Sequence, residues 1–201
     1  DFIFFIATSF IARFKEHDNV KKYIDTNKIE FDSTKPHECH RIIANYYQSL
    51  IPADKEYYLH HFTIENGANR YGLIFGTAHT LGMEKFLKVC WKYDNLAGEA
   101  NMNIDGNHKP GELFYVAGNS NKKDAVKEEI KKMVLSGHIT DNITGFKYAL
   151  KQKCMPNVLS EVIKELESKK KLRRIGAKSY TSTDIHKIKV GSKDYYKIEL
   201  L

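Results

Sequence analysis

Tyr71-Gly72-Leu73-Ile74-Phe75-Gly76-Thr77-Ala78-His79-Thr80-Leu81-Gly82-Met83-Glu84-Lys85-Phe86-Leu87-Lys88-Val89-Cys90-Trp91-Lys92 divides into a strand, a turn and a helix. Residues 71–75 are apolar enough for a strand, and Gly76-Thr77-Ala78-His79-x-x-Gly82 is a turn. Residues 81–93 carry apolar side chains at helical spacing and end near the only tryptophan. Just upstream, residues 57–65 alternate as a strand does, and Asn66-Gly67-Ala68-Asn69 is a turn. Residues 70–75 are therefore the return strand of a β-hairpin that feeds an amphipathic helix.

Toward the N-terminus, Phe2-Ile3-Phe4-Phe5-Ile6-Ala7 is a continuous apolar run, as expected of a strand buried on both faces of a parallel sheet. Residues 9–24 are predicted helical, with Phe10, Phe14, Val20, Tyr23 and Ile24 at three-to-four spacing. Residues 25–37 read as a loop with room for one short strand. A second helix over 38–50 carries Ile42, Ile43, Tyr46, Tyr47 and Leu50, and Pro52 ends it. On the other side, residues 94–121 are rich in Asn, Gly and Asp and read as a linker or surface insertion with one short strand at 113–116. The last eighty or so residues predict helix, short strand, helix, helix, strand, loop, strand, with Gly137 closing the first helix and Pro156 opening the third.

The chain's 201 residues, 42% of them hydrophobic, suffice for one medium domain, alone or with a small appendage. The apolar opening is only about eleven residues long, too short for a membrane span, and Asp1 stands where a signal peptide would carry basic residues. Cys39, Cys90 and Cys154, odd in number and far apart, point to a reducing compartment without a disulfide framework, and a cytoplasmic location is expected. Charge is unevenly shared. Residues 1–120 hold 13 Lys and Arg against 15 Asp and Glu, whereas residues 121–201 hold 19 against 10. A basic half suggests a polyanionic partner; a Lys-rich solvated surface is the other reading.

The Gly76-Thr77-Ala78-His79-x-x-Gly82-Met83-Glu84-Lys85 segment, with its flanking strand and helix, resembles the C-terminal part of the three-Cys-motif partner proteins. Asp1-Phe2-Ile3-Phe4-Phe5-Ile6 and then Phe10-Ile11-Ala12-Arg13-Phe14 are similar to the family's fifth strand and next helix. The resemblance implies an α/β fold in three parts. Residues 1–95 would be the closing part of a class I methyltransferase-like, Rossmann-type sheet whose sixth and seventh strands form a hairpin, the seventh antiparallel. Residues 96–121 would be the linker or insertion, and 122–201 a winged helix-turn-helix. It also implies a bacterial setting in nucleic-acid modification or phage defence.

The chain opens at Asp1 directly in a strand, so the cofactor-binding half of such a domain is expected to be missing. No glycine-rich first loop or acidic strand end precedes it to hold S-adenosylmethionine. The resemblance thus carries over no catalytic or cofactor-binding residue, and that cofactor is expected only of a full-length family member. Ligands of open α/β sheets bind beyond the carboxyl ends of the parallel strands, which selects Thr8, Ser9, Asn66, Asn69 and Arg70 as candidates at the substrate edge. His79 falls at the opposite edge and reads as a turn or cap residue.

His37-Glu38-Cys39-His40 places two histidines on one helical face, but a metal site needs three or four converging groups; no metal is expected. His60 and His61 point to opposite faces of a strand and are not expected to act as a pair. No Ser, Cys or Thr has the base and orienting group that nucleophilic catalysis needs. On the third tail helix Asn157, Ser160, Glu161, Lys164 and Ser168 are the outward positions, while Glu161, Glu165 and Glu167 oppose phosphate. Lys169, Lys170, Lys171, Arg173, Arg174, Lys178, Lys187 and Lys189 are placed to neutralise a phosphate backbone. The expected function is a non-catalytic chain whose basic tail binds nucleic acid by shape and charge. Two other readings stand: half of a methyltransferase completed by an absent N-terminal part, and a module docking a three-Cys partner protein.

Overall fold

The computed structural model describes residues 1–14, 16–31, 35, 38–102, 121–180 and 185–201. The strand expected at 113–116 and residue His37 lie outside them. The fold is mixed α/β, and the described residues form two small antiparallel sheets, each in its own unit.

In the first unit β1 (Phe2–Ala7), β2 (Tyr58–Asn66) and β3 (Asn69–Thr77) form a sheet of order β1-β3-β2. Both outer strands pair antiparallel with β3, from Phe2↔Gly76 to Ala7↔Tyr71 and from Tyr58↔Thr77 to Asn66↔Asn69, so β1 and β2 run parallel to each other. Gly67 holds φ +61° at the hairpin tip, a value that a side chain disfavours.

The period of two along each strand separates two faces. Leu59, His61 and Thr63 of β2 and Ile74 of β3 face α3 (Cys39–Ser49), whose Ile43 and Ala44 fill the core on that side. Tyr58 and His60 face α4 (Thr80–Tyr93), where Met83, Leu87 and Phe86 meet them. Gly72 sits under α3, and a Cβ there would lie 2.2 Å from the Cβ of His40, so helix and strand can approach this closely only over glycine.

Two expectations are corrected here. β1 is not buried on both faces: Phe2 and Ile6 pack toward α3, but Ile3 and Phe5 on the other face are 59% and 63% exposed. α4 crosses β2 and β3 and leaves β1 uncovered. The helix expected over 9–24 is also broken. α1 (Thr8–Arg13) stops, and α2 (Asp18–Lys21) restarts after His17, whose extended backbone and ring nitrogen cap it by accepting from Asn19 N–H.

Residues 94–102 fold back against the first unit. The Asp94 carboxylate accepts from the N–H groups of Leu96, Ala97 and Glu99, folding the chain back. Thr63 N–H then donates to Glu99 O, and Asn101 N–H to Thr63 O, so Ala100 bridges the free side of β2 in parallel.

The second unit runs α5 (Lys122–Leu135), α6 (Asn142–Lys151), α7 (Asn157–Ser168), β4 (Leu172–Gly176) and β5 (Tyr196–Leu200). Asn121 and Asp141 cap α5 and α6, accepting from the N–H groups of Asp124 and Thr144. The apolar stripes of the three helices meet in one core, with Ile130, Val134, Phe146, Ala149, Leu159 and Ile163 all buried. β4 and β5 pair antiparallel, and Ile198 N–H donates to Thr140 O beside an Asp141↔Lys197 bridge.

The units share a seam. Leu150 of α6 joins Tyr58, Met83 and Leu87 in one buried cluster, with Trp91 against it. Trp91 Nε1 donates to Lys153 O at 3.1 Å, and the Lys147 ammonium lies 2.7 Å from the Glu56 carboxylate. Among the described residues no helix is long and apolar enough to cross a membrane.

Candidate functional site

The sheet-edge residues do come together. Thr8 is buried and its hydroxyl donates to Arg70 O at 2.8 Å. Arg70 Nε in turn donates to Glu65 at 2.7 Å, and Asn101 brackets the Glu65 backbone from both sides. Asn66 and Asn69 are exposed at the hairpin tip, and the backbone of Ser9 lies in α1. Thr8 and Arg70 thus spend their polar groups on holding the edge. His79 stands at the far end as the exposed N-cap residue of α4, without a side-chain capping bond.

In the tail, α7 exposes less than its periodicity suggests. Val158, Leu159, Ser160, Val162, Ile163 and Leu166 are all buried. Ser160, expected outward, is 3% exposed and its hydroxyl donates to Tyr180 O at 2.9 Å, because the 177–180 segment folds back over the helix. Asn157, Lys164 and Ser168 remain on the outer stripe, with Lys164 Nζ 5.0 Å from the centre of the Tyr180 ring.

Arg174 is likewise turned inward. Its Nη1 donates to the carbonyls of Ala177, Lys178 and Ser179, its Nε lies 3.1 Å from Glu167, and its guanidinium stacks 3.6 Å from the Tyr180 ring centre. Arg173 is exposed but ion-paired to Glu199 across the β-ribbon.

The α7 carboxylates are compensated from within. Glu161 is held by Lys123 at 2.8 Å and Lys127 at 2.6 Å, Glu165 by Lys131 at 3.1 Å and Lys169 at 2.5 Å, and Glu167 by Arg174. Burial pushes the Glu161 carboxyl up, but hydrogen bonds from Lys123 and Lys127 outweigh it and keep the group below the usual range. These pairs are part-exposed, so each stabilises little; what they change is the local charge. Lys170, Lys171, Lys178, Lys187 and Lys189 are exposed around the ribbon.

A cluster that local spacing does not announce lies between the sheet and the second unit. His40, His60 and His61 are all buried. His61 and His40 meet edge-on at 5.7 Å, and His60 meets Phe86 edge-on at 5.8 Å, on the opposite face as expected. The His60 and His61 rings nevertheless approach to 5.4 Å.

Since a carbonyl only accepts, His60 Nε2 donates to Gly98 O at 2.8 Å, which fixes its tautomer; its Nδ1 has no hydrogen-bond partner among the described residues. Glu99 is the acid of the cluster, 2.6 Å from Lys122 Nζ, 3.8 Å from His61 Nε2 and 3.9 Å from Arg41 Nη2. Burial pushes its carboxyl up, but the charge and hydrogen bond of Lys122, aided by Arg41, hold it below the usual range. Burial holds both His60 and His61 far below the usual imidazole range, with neighbouring His61, Lys122 and Lys153 adding to it.

Among the described residues no group of three or more His, Cys, Asp and Glu side chains is arranged to hold a metal ion. Cys39, Cys90 and Cys154 are free and buried, and burial pushes the Cys39 and Cys90 thiols up to about 12 and Cys154 to about 11, far from a thiolate nucleophile. No protein-family model, curated protein or solved structure matches the chain.

Sequence reading passes over Arg41, Glu99, Lys122 and Lys153 because the chain brings them together from α3, the turn after α4, the first residue of α5 and the end of α6. One faint signal is available: Gln152-Lys153-Cys154 ends a helix without the glycine usual there.

Proposed function

We propose that the chain binds nucleic acid through its basic C-terminal unit and that it is non-catalytic on its own. The observation that carries this reading is the internal compensation of Glu161, Glu165 and Glu167, the three carboxylates that would repel phosphate from α7. Lys164, Lys170, Lys171, Lys178, Lys187 and Lys189 then supply exposed positive charge on the unit. The order helix, bridge, helix, helix, strand, loop, strand supports a winged helix as its architecture. The sheet order β1-β3-β2, with the antiparallel strand between two parallel ones, supports the end of a methyltransferase-like sheet as the first unit. A role in nucleic-acid modification or phage defence rests on the family resemblance.

Binding of this kind releases counterions, so affinity falls steeply with salt, by a slope of about 0.9 per phosphate neutralised. Fluorescence anisotropy of labelled duplex and single-stranded DNA and RNA against salt tests it. Replacing Lys170, Lys171, Lys178 and Lys189 together by Gln should flatten the slope by about one for each phosphate no longer neutralised. An absence of binding at low salt would overturn the reading and move the assignment to a protein partner.

A further inference from the structure

Lys153 stands where the backbone selects against any side chain. It follows α6 with φ +59°, the left-handed conformation in which helices usually place glycine. Hydrogen bonds from Lys153 N–H to Leu150 O and from Cys154 N–H to Ala149 O close the helix there, and Trp91 pins the Lys153 carbonyl. Lys170 takes the same turn after α7, with φ +54°, so it is the surroundings of Lys153 rather than its backbone alone that set it apart.

The Lys153 side chain lines a cleft of about 490 Å³ between the two units. Lys55, Lys122, Lys151 and Lys153 line it against one carboxylate, Glu99. Glu99 is already shared by Lys122 and Arg41, and Lys153 makes no ion pair among the described residues. Burial draws the Lys153 ammonium below its usual range and the Lys122 charge adds to this, with Glu99 opposing. A part-buried cation beside a second one is costly to leave without a counter-charge. The remaining wall includes the half-buried Tyr57 and the amides of Gln48 and Gln152, which supply an aromatic surface and neutral hydrogen-bonding groups.

We propose that this cleft binds a phosphate-bearing small molecule of about nucleotide size, with its phosphates held by Lys122, Lys151 and Lys153. The volume falls within the common range of ligand pockets, roughly 300–1,000 Å³. Four lysines facing one shared acid match a di- or triphosphate better than a single carboxylate, and lysine serves phosphate as a point charge. Glu99 aims Lys122 into the site. Lys122, Lys151 and Lys153 lie in the same basic unit but are not among the lysines assigned to nucleic acid, so variants at the two sets of positions tell the two readings apart.

The test is a titration of the full chain with inorganic pyrophosphate at matched ionic strength, following the emission of Trp91, the only tryptophan, and the thermal midpoint. A saturable change in both is expected. Lys153→Gly separates ligand binding from folding. Glycine suits φ +59°, so the unliganded variant should be at least as stable as the parent, while its affinity for pyrophosphate falls about tenfold or more. Lys151→Gln, at an exposed position, should also weaken binding and leave the unliganded midpoint unchanged. The Lys170, Lys171, Lys178 and Lys189 variant should bind pyrophosphate like the parent. No saturable response at millimolar pyrophosphate, or an undiminished one in Lys153→Gly, would overturn the proposal.

Discussion

His60 and His61 are kept neutral in the interior, and this has a definite sign in solution. Unfolded, each titrates near 6.5; folded, each lies far below that. Beneath pH 6.5 the unfolded chain therefore takes up protons that the folded chain does not, and stability falls as pH falls. The loss is about 1.4 kcal/mol per pH unit for each histidine until its folded pKa is reached. Glu99 acts in the same direction at lower pH, since its depressed folded pKa makes its contribution complete above the ordinary carboxyl range and lost on acidification through the folded value. Urea midpoints at pH 7 and pH 5 check this, and equal values would be incompatible with buried neutral imidazoles. The strand alternation that sends His60 and His61 to opposite faces is legible in the sequence. Their meeting with His40 and Glu99 is not, because it depends on where α3 and the turn after α4 settle on β2.

For the elements, regular spacing is a reliable guide wherever one face is buried and the other is not. α3 and α4 lie within a residue of their expected bounds, and α5, α6 and α7 follow in the expected order, because each carries a single apolar stripe. β1 departs from expectation because a run of Phe and Ile does not say how many faces are covered, and α4 stops short of it. The 9–24 segment departs because His17 supplies an N-cap inside one periodic stretch. In the tail, Lys and Arg at consecutive positions look equivalent in sequence, but geometry divides them. Arg174 organises the segment after β4 through three carbonyls and Glu167, whereas Lys170 is exposed. Arg174→Ala should cost about 1–3 kcal/mol, since it removes the guanidinium's bonds to Glu167 and to three carbonyls. Lys170→Ala should stay within about 0.5 kcal/mol. Chemical denaturation of both variants checks the contrast, and equal losses would mean that the guanidinium is not the organiser.

Taken whole, the chain is two units whose boundary is stitched by Trp91, Leu150 and the Lys147–Glu56 pair, so the cleft near Lys153 inherits its shape from both. No composition or spacing reveals a site divided in this way. One feature on the far side of the first unit bears on how the protein behaves in a tube rather than on what it binds. Among the described residues β1 pairs only with β3, so its other edge offers main-chain donors and acceptors, and the rings of Phe4 and Phe5 stand exposed beside that edge. Protein edges are commonly blunted by a charge or a proline; this one has neither between Phe2 and Ala7. Two molecules that collide along it can extend each other's ladder and hide those rings, so monomer should disappear with second-order kinetics. Light scattering at several concentrations would register this, and Phe5→Lys, a change on the face that α4 leaves bare, should lengthen the useful life of a concentrated sample.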